Sequence, residues 1–204
     1  TCGAEAMNEY TPNTAEIFSA HIPALATLVA LDWEYLPAAK CLAIRGGNQA
    51  VLLTSVLVEE LRRRRFTYRG KDYPLSPNAI DQIVREISAP ALSEGLMTAN
   101  ERLYNMLALG IAVTEFVDGK KISVTVPIVN WGQPLANSFI VTDEYELLAT
   151  DGTHTRRPDI VGFVNGIPLL VIEAKRPDSG NPNKSMVEEG ISQTIRNQKI
   201  DEIP

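Results

Sequence analysis

The chain of 204 residues is 45% hydrophobic and 22% charged, enough apolar material for one sizeable core. No apolar run approaches the roughly 18 residues that cross a bilayer, so no membrane partner is expected. Two cysteines, Cys2 and Cys41, supply neither a disulfide framework nor zinc-ligand spacing, and a net charge of −6 does not suit a protein that grips DNA unaided. A reducing, cytoplasmic setting fits this composition.

Residues 1–6 precede Met7 and read as an added leader, with 1–13 as a flexible start. Asn13 or Thr14 can cap a helix reaching about residue 30, with Ile17, Leu25, Leu28 and Val29 toward a core. Pro23 should kink or divide it. Residues 36–47, with Pro37, Gly46 and Gly47, read as a connection, and 49–64 as a second amphipathic helix. Arg62, Arg63, Arg64 and Arg65, then Arg69 and Lys71, are either a solvated helix end, where cations suit the dipole, or a phosphate-facing patch. Ser76 or Asn78 starts a third helix through Ile80, Ile83, Val84 and Ile87, ended by Pro90. A fourth spans 94–109 and closes at Gly110.

The texture then changes. Residues 111–117 and 120–126 alternate around Asp118-Gly119, a hairpin signal. Another strand is expected over 138–148, with Phe139, Val141 and Tyr145 marking one face. Asn165-Gly166 is a second hairpin signal, between 159–164 and 167–172. The run 167–174 is almost wholly apolar, as in a strand buried on both faces. A helix over 186–198 closes the chain. No repeat or low-complexity segment interrupts the layout of helices, then a mixed sheet, then a helix.

The chemistry gathers on that second hairpin. Asp159 follows Arg157-Pro158 at its start, and Glu173-Ala174-Lys175 ends it. Two carboxylates on neighbouring strands can hold a hard divalent cation through oxygen. The cation polarises a phosphate and acidifies a bound water. An ammonium can orient that water or offset charge developing on the phosphate. Glu173 and Lys175, two apart, share a strand face. Asp159 joins them only in the right register. A plain two-residue turn sets Asp159 opposite Ile172, with Glu173 on the other face. A three-residue connection with a bulge sets Asp159 opposite Val171 and diagonal to Glu173. An odd-length turn or a bulge is therefore expected, and an unbulged two-residue pairing would exclude the metal site.

The text Arg157-Pro158-Asp159-Ile160-Val161-Gly162-Phe163-Val164-Asn165-Gly166-Ile167-Pro168-Leu169-Leu170-Val171-Ile172-Glu173-Ala174-Lys175-Arg176-Pro177 resembles the PD-(D/E)xK nuclease superfamily. More closely, it is similar to the N-terminal nuclease domain of type I restriction enzyme R subunits. Asp32-Trp33-Glu34-Tyr35, Asn137-Ser138-Phe139 and Gln193-Thr194-Ile195-Arg196-Asn197-Gln198 extend the likeness. The resemblance implies an α/β, restriction-endonuclease-like core, a mixed β-sheet flanked by helices, with a helical N-terminal half. The helical part would span about 14–110 and the catalytic core about 111–200, with 201–204 starting a linker toward helicase-like motor domains absent here.

It further implies that Asp159 and Glu173 bind Mg2+ and that Lys175 is the catalytic lysine. Glu16 matches loosely a first-helix glutamate that some of these nucleases add to the metal site, and equally suits a helix dipole. Gln193 stands where the family often has Gln-x-x-x-Tyr, with Asn197 in place of the tyrosine. Arg156 and Arg157 could hold phosphates or neutralise the acidic pair. His154 and His21 read as a loop residue and a structural residue. Trp33 and Tyr35 could stack on bases, with core packing the stronger default. Residues 180–185 lack a phosphate-binding loop's glycine before lysine and are read as a plain loop. ATP would serve only the full-length protein. Double-stranded DNA and the methylation and specificity subunits are the implied partners. A repair nuclease or junction resolvase on the same fold, or a degenerate nuclease fold that only docks DNA or subunits, are the alternatives.

Overall fold

The structure, a computed structural model, describes residues 17–89, 95–149, 152, 154–175 and 185–196, excepting the side chains of 186, 189, 193, 194 and 196. Glu16, Asn197, residues 180–184 of the expected loop and the expected start and end of the chain lie outside the described residues.

A π-helical turn, Ile17–His21, leads into α1, Ile22–Ala30, with Pro23 in its first turn. The ring divides the segment where a helix start has no use for an N–H. After β1, Glu34–Tyr35, comes α2, Ala38–Arg45, in the stretch expected to be a connection. Pro37 and Gly46 are the start and stop of a short helix: Pro37 stands at its N-cap and Gly46, at φ 77, closes it left-handed. α3, Thr54–Arg63, is shorter than the expected 49–64. Arg65 instead opens β2, Arg65–Tyr68, which pairs with β3, Lys71–Pro74, in a hairpin that periodicity did not suggest. Its turn puts Arg69, at φ 51, where glycine or asparagine is usual.

α4, Pro77–Ser88, is capped as expected, Ser76 Oγ accepting the Ala79 N–H at 3.2 Å. α5, Leu96–Leu109, ends at Gly110, where a Cβ would stand 2.6 Å from the Val126 carbonyl oxygen. β4, Ile111–Val117, and β5, Lys120–Val126, pair along their full length around Asp118-Gly119. Leu57, Leu61, Ile83, Ile87 and Val113 sit in the core between this hairpin and the helices.

The second core surrounds a four-stranded mixed sheet. Its order is β1, β6 (Phe139–Asp143), β9 (Ile160–Val164), β10 (Ile167–Ile172), with β1 parallel to β6 and the rest antiparallel. Two short strands, β7 (Leu147–Leu148) and β8 (Thr155–Arg156), pair beside it. Leu28 of α1 meets Val141 and Ile160 on one face, while Cys41 of α2 and Leu53 meet Ile140, Val161 and Phe163 on the other. The expected strand 138–148 breaks at Glu144, whose φ of 44 turns Tyr145 onto the face opposite Val141. β10 is not buried on both faces. It forms the sheet edge among the described residues, with Leu169 42% and Val171 56% exposed. α6, Met186–Arg196, follows it. No described helix is long and apolar enough to cross a membrane.

Candidate active site

The site rests on the β9–β10 hairpin, and the hairpin on its turn. Asn165 and Gly166 have φ of 53 and 82, both left-handed, as a two-residue type I′ turn requires. Asn165 is fully buried. Its Oδ1 accepts the Ser138 N–H at 2.9 Å, and its Nδ2 donates to the Ile128 carbonyl and to Asn137 Oδ1, both at 2.9 Å. Gly166 has a second reason to be glycine: a Cβ there would stand 2.5 Å from the Leu53 carbonyl oxygen and 2.9 Å from the Leu57 nitrogen. The Leu53 N–H donates to the Gly166 carbonyl at 2.9 Å, seating the start of α3 on the turn.

The turn is thus two residues long, not three. The ladder runs Ile167↔Val164 and Pro168↔Phe163, then Leu170↔Gly162, Val171↔Val161 and Ile172↔Ile160. Leu169 is the surplus residue, a β-bulge. The ladder ends at Ile172↔Ile160; the same register continued by one residue would set Asp159 across from Glu173. The expected partner of Asp159, Val171, lies two residues short of this. The expected bulge is present, and a register continued through it would put both carboxylates on one face, because paired residues in a ladder point to the same side.

Asp159 is held from both neighbours. Its Oδ2 accepts the Ala174 N–H at 2.7 Å, and its carbonyl accepts the Glu144 N–H at 2.8 Å. The Pro158 carbonyl accepts the Tyr145 N–H at 3.1 Å. Asp159, Glu173 and Lys175 are all half-buried, reachable from solvent but partly desolvated. No group of three or more His, Cys, Asp or Glu side chains gathers among the described residues. Two carboxylates fit magnesium, which keeps several waters and takes one or two carboxylates plus substrate phosphate, better than a caged zinc or calcium.

The auxiliary residues divide. Arg156, in β8, is half-buried, and Arg157 is exposed with a nitrogen 3.8 Å from Glu144 Oε2. Gln193 lies on α6, three positions after Gly190, where a Cβ would stand 3.8 Å from Cγ of Lys175. His154 is exposed. The arginine run is largely engaged within its own segment: Arg63 pairs with Glu59 and Glu60, and Arg65 donates to the Arg62 and Arg64 carbonyls. α3 also starts at the turn, the end of the hairpin remote from Asp159 and Glu173. Trp33 is a packing residue, tilted against Phe139 at 5.1 Å. Tyr35 is not core: it is 43% exposed, and its hydroxyl donates to Asp143 at 2.9 Å. Burial, then that bond, raises the phenol's pKa. His21 Nε2 stands 4.0 Å from the same carboxylate.

One anchor gave no sequence signal. Arg45 is buried, donating to the Ala50 and Glu146 carbonyls at 2.7 and 2.8 Å, with its guanidinium 3.9 Å above the Tyr145 ring. The Tyr145 hydroxyl donates to the Val51 carbonyl at 2.7 Å. This joins α2 to the segment that brackets Asp159. A lone arginine in a short helix reads as surface, so only the fold reveals it.

Comparison with known proteins gives the family. The profile described as "Type I restriction enzyme R protein N terminus" matches residues 17–204. The type I restriction enzyme HindI endonuclease subunit of Haemophilus influenzae is 32% identical over 161 residues, 75% of this chain and 14% of that protein. The putative type I restriction enzyme MjaIXP endonuclease subunit of Methanocaldococcus jannaschii is 32% identical over 82 residues, 40% of this chain and 8% of that protein. The chain therefore spans a small part of the length of these relatives. No solved structure matches it. The chain belongs to the family of type I restriction enzyme R protein N termini.

Proposed function

We propose that this domain hydrolyses DNA phosphodiesters with Mg2+ on a PD-(D/E)xK nuclease core, as the cutting module of a type I restriction R subunit. The observation that carries the reading is the hydrogen bond from the Ala174 N–H to Asp159 Oδ2, which ties Asp159 to the Glu173-Ala174-Lys175 segment just beyond the bulged β9–β10 ladder. The two carboxylates would hold the cation, which when bound polarises the phosphate and acidifies a water. Lys175, two residues after Glu173, would orient that water and offset charge building on the phosphate. Arg156, Arg157 and Gln193 are candidates for holding the DNA backbone, and Glu16 for an added metal contact. The relatives are named as restriction enzyme endonuclease subunits, which supports the reading.

Sequence recognition, ATP-driven translocation and assembly with methylation and specificity subunits would belong to the rest of the R protein and its complex. A net charge of −6 agrees with a domain that relies on other parts to hold DNA against it. The test is Mg2+-dependent cleavage by the full-length complex carrying Lys175→Ala, with ATP hydrolysis followed in parallel. Lost cutting with intact ATPase supports the assignment. Retained cutting would leave the motif structural and the fold a docking module.

A further inference from the structure

α6 carries a glycine in its interior, which a helix of this length tolerates only at a cost to its stability. The position has one close neighbour. A Cβ at Gly190 would stand 3.8 Å from Cγ of Lys175, in ordinary contact with the side-chain stem, so alanine fits there and a longer side chain extended in that direction would meet the stem. Gly190 is half-buried, whereas Val187, Ile191 and Ile195 of the same helix are 72%, 55% and 54% exposed. Consecutive helical residues point about 100° apart, so the Gly190 flank, not the Ile191 flank, is the one turned toward the end of β10.

We propose that Gly190 is a positioning residue: its missing side chain lets α6 lie against the Lys175 stem and fixes where the ammonium points. This rests on the nuclease reading of Lys175 given above. Lys175 follows the last residue of β10 by three positions and is half-buried, so the flank of α6 is a wall that can confine its side chain. A misplacement of about 1 Å at a reacting group can cost on the order of 10²-fold in rate.

The test uses the full-length complex with Gly190→Leu and Gly190→Gln, two helix-compatible residues, beside the conservative Gly190→Ala and beside Lys175→Ala. The positioning role is read without catalysis by the rate at which the Lys175 amine is reductively methylated in the absence of metal, followed by peptide mass spectrometry. Expected are faster methylation of Lys175 in the Leu and Gln variants, and a drop in Mg2+-dependent cleavage of about 10²-fold with DNA binding and ATPase intact. Gly190→Ala should recover both. Gly190→Leu combined with Lys175→Ala should cut no worse than Lys175→Ala alone, because one acts through the other. Wild-type methylation and cutting in a folded Leu or Gln variant would overturn the proposal, and so would additive losses in the double variant. If Lys175→Ala itself cuts normally, the nuclease reading fails, and the methylation rates still decide whether Gly190 places the lysine.

Discussion

Asp159 accepts the backbone N–H of Ala174 through Oδ2 at 2.7 Å, so the residue between Glu173 and Lys175 is tied to the Asp159 carboxylate. This side-chain bond lies just past the end of the β9–β10 ladder at Ile172↔Ile160. It also orients one oxygen of Asp159 into the strand. The position of the acidic pair thus follows from ladder geometry, and the ladder geometry from Leu169.

Leu169 is the residue that the bulge absorbs. Deleting it should give a regular ladder with Leu170↔Gly162 and every later pair unchanged. Cleavage by the full-length complex should therefore stay within about tenfold of wild type, because the acidic residues keep their shared face. A folded deletion variant with no cleavage would show that the bulge has another role in the site.

The turn should be far less tolerant. Asn165→Ala removes the acceptor for Ser138 N–H and the donor to the Ile128 carbonyl, both in a buried setting, and puts alanine at a φ of 53. Unsatisfied buried groups cost about 1–3 kcal/mol each, so a loss of about 2–4 kcal/mol is expected. Chemical denaturation measures it, and a loss below about 1 kcal/mol would contradict this account of the network.

Gly162 tests the packing under the sheet. A Cβ there would stand 2.5 Å from Cζ3 of Trp33 and 3.1 Å from Cβ of Leu170. Gly162→Ala should destabilise by about 1–3 kcal/mol through overpacking and shift Trp33 fluorescence. Gly162→Ala with Trp33→Leu should recover part of the loss. An unshifted spectrum would mean that Trp33 does not lie over Gly162.

Alkaline pH tests the Arg45–Tyr145 anchor. Burial pushes the Tyr145 phenol from its usual 10.0 up to about 12, with the Arg45 guanidinium pulling the other way. The folded state thus keeps its proton where the unfolded chain has lost it. The contribution is complete below the unfolded value and drains away as pH climbs from about 10 to about 12, on the order of 2–3 kcal/mol. Tyr145→Phe should be less stable at neutral pH by about 1 kcal/mol, having lost the bond to Val51. Its stability should then fall less steeply above pH 10 than that of wild type. Parallel alkaline limbs would contradict a buried, raised phenol.

Local chemistry was the readable part of this chain. Asp118-Gly119 and Asn165-Gly166 announce their turns because few residues enter the left-handed region cheaply, and Ser76 announces α4 because it caps its N-terminus. α2 was missed because Pro37 and Gly46, which bound a short helix, look the same as the punctuation of a loop. The β2–β3 hairpin was missed because Arg69 occupies a left-handed turn position that arginine rarely takes. That the hairpin needed an odd-length turn or a bulge was legible from the spacing of Asp159 and Glu173; the three-residue turn was not found, and the bulge was. Its location at Leu169 was not, because that depends on how β10 lies along β9. The exposure of Val171 was equally hidden, since an apolar run does not say whether its strand lies at the centre of a sheet or at its edge.

The most direct test of the central claim is Asp159→Asn in the full-length complex, assayed for Mg2+-dependent DNA cleavage with ATP hydrolysis and thermal stability measured alongside. Asparagine can still accept the Ala174 N–H, so the ladder should hold, while one of the two charges that would bind the cation is gone. Cleavage should fall by about 10²-fold or more, with ATPase and Tm near wild type. Undiminished cleavage by the folded variant would contradict the claim that Asp159 and Glu173 form the metal-dependent nuclease site.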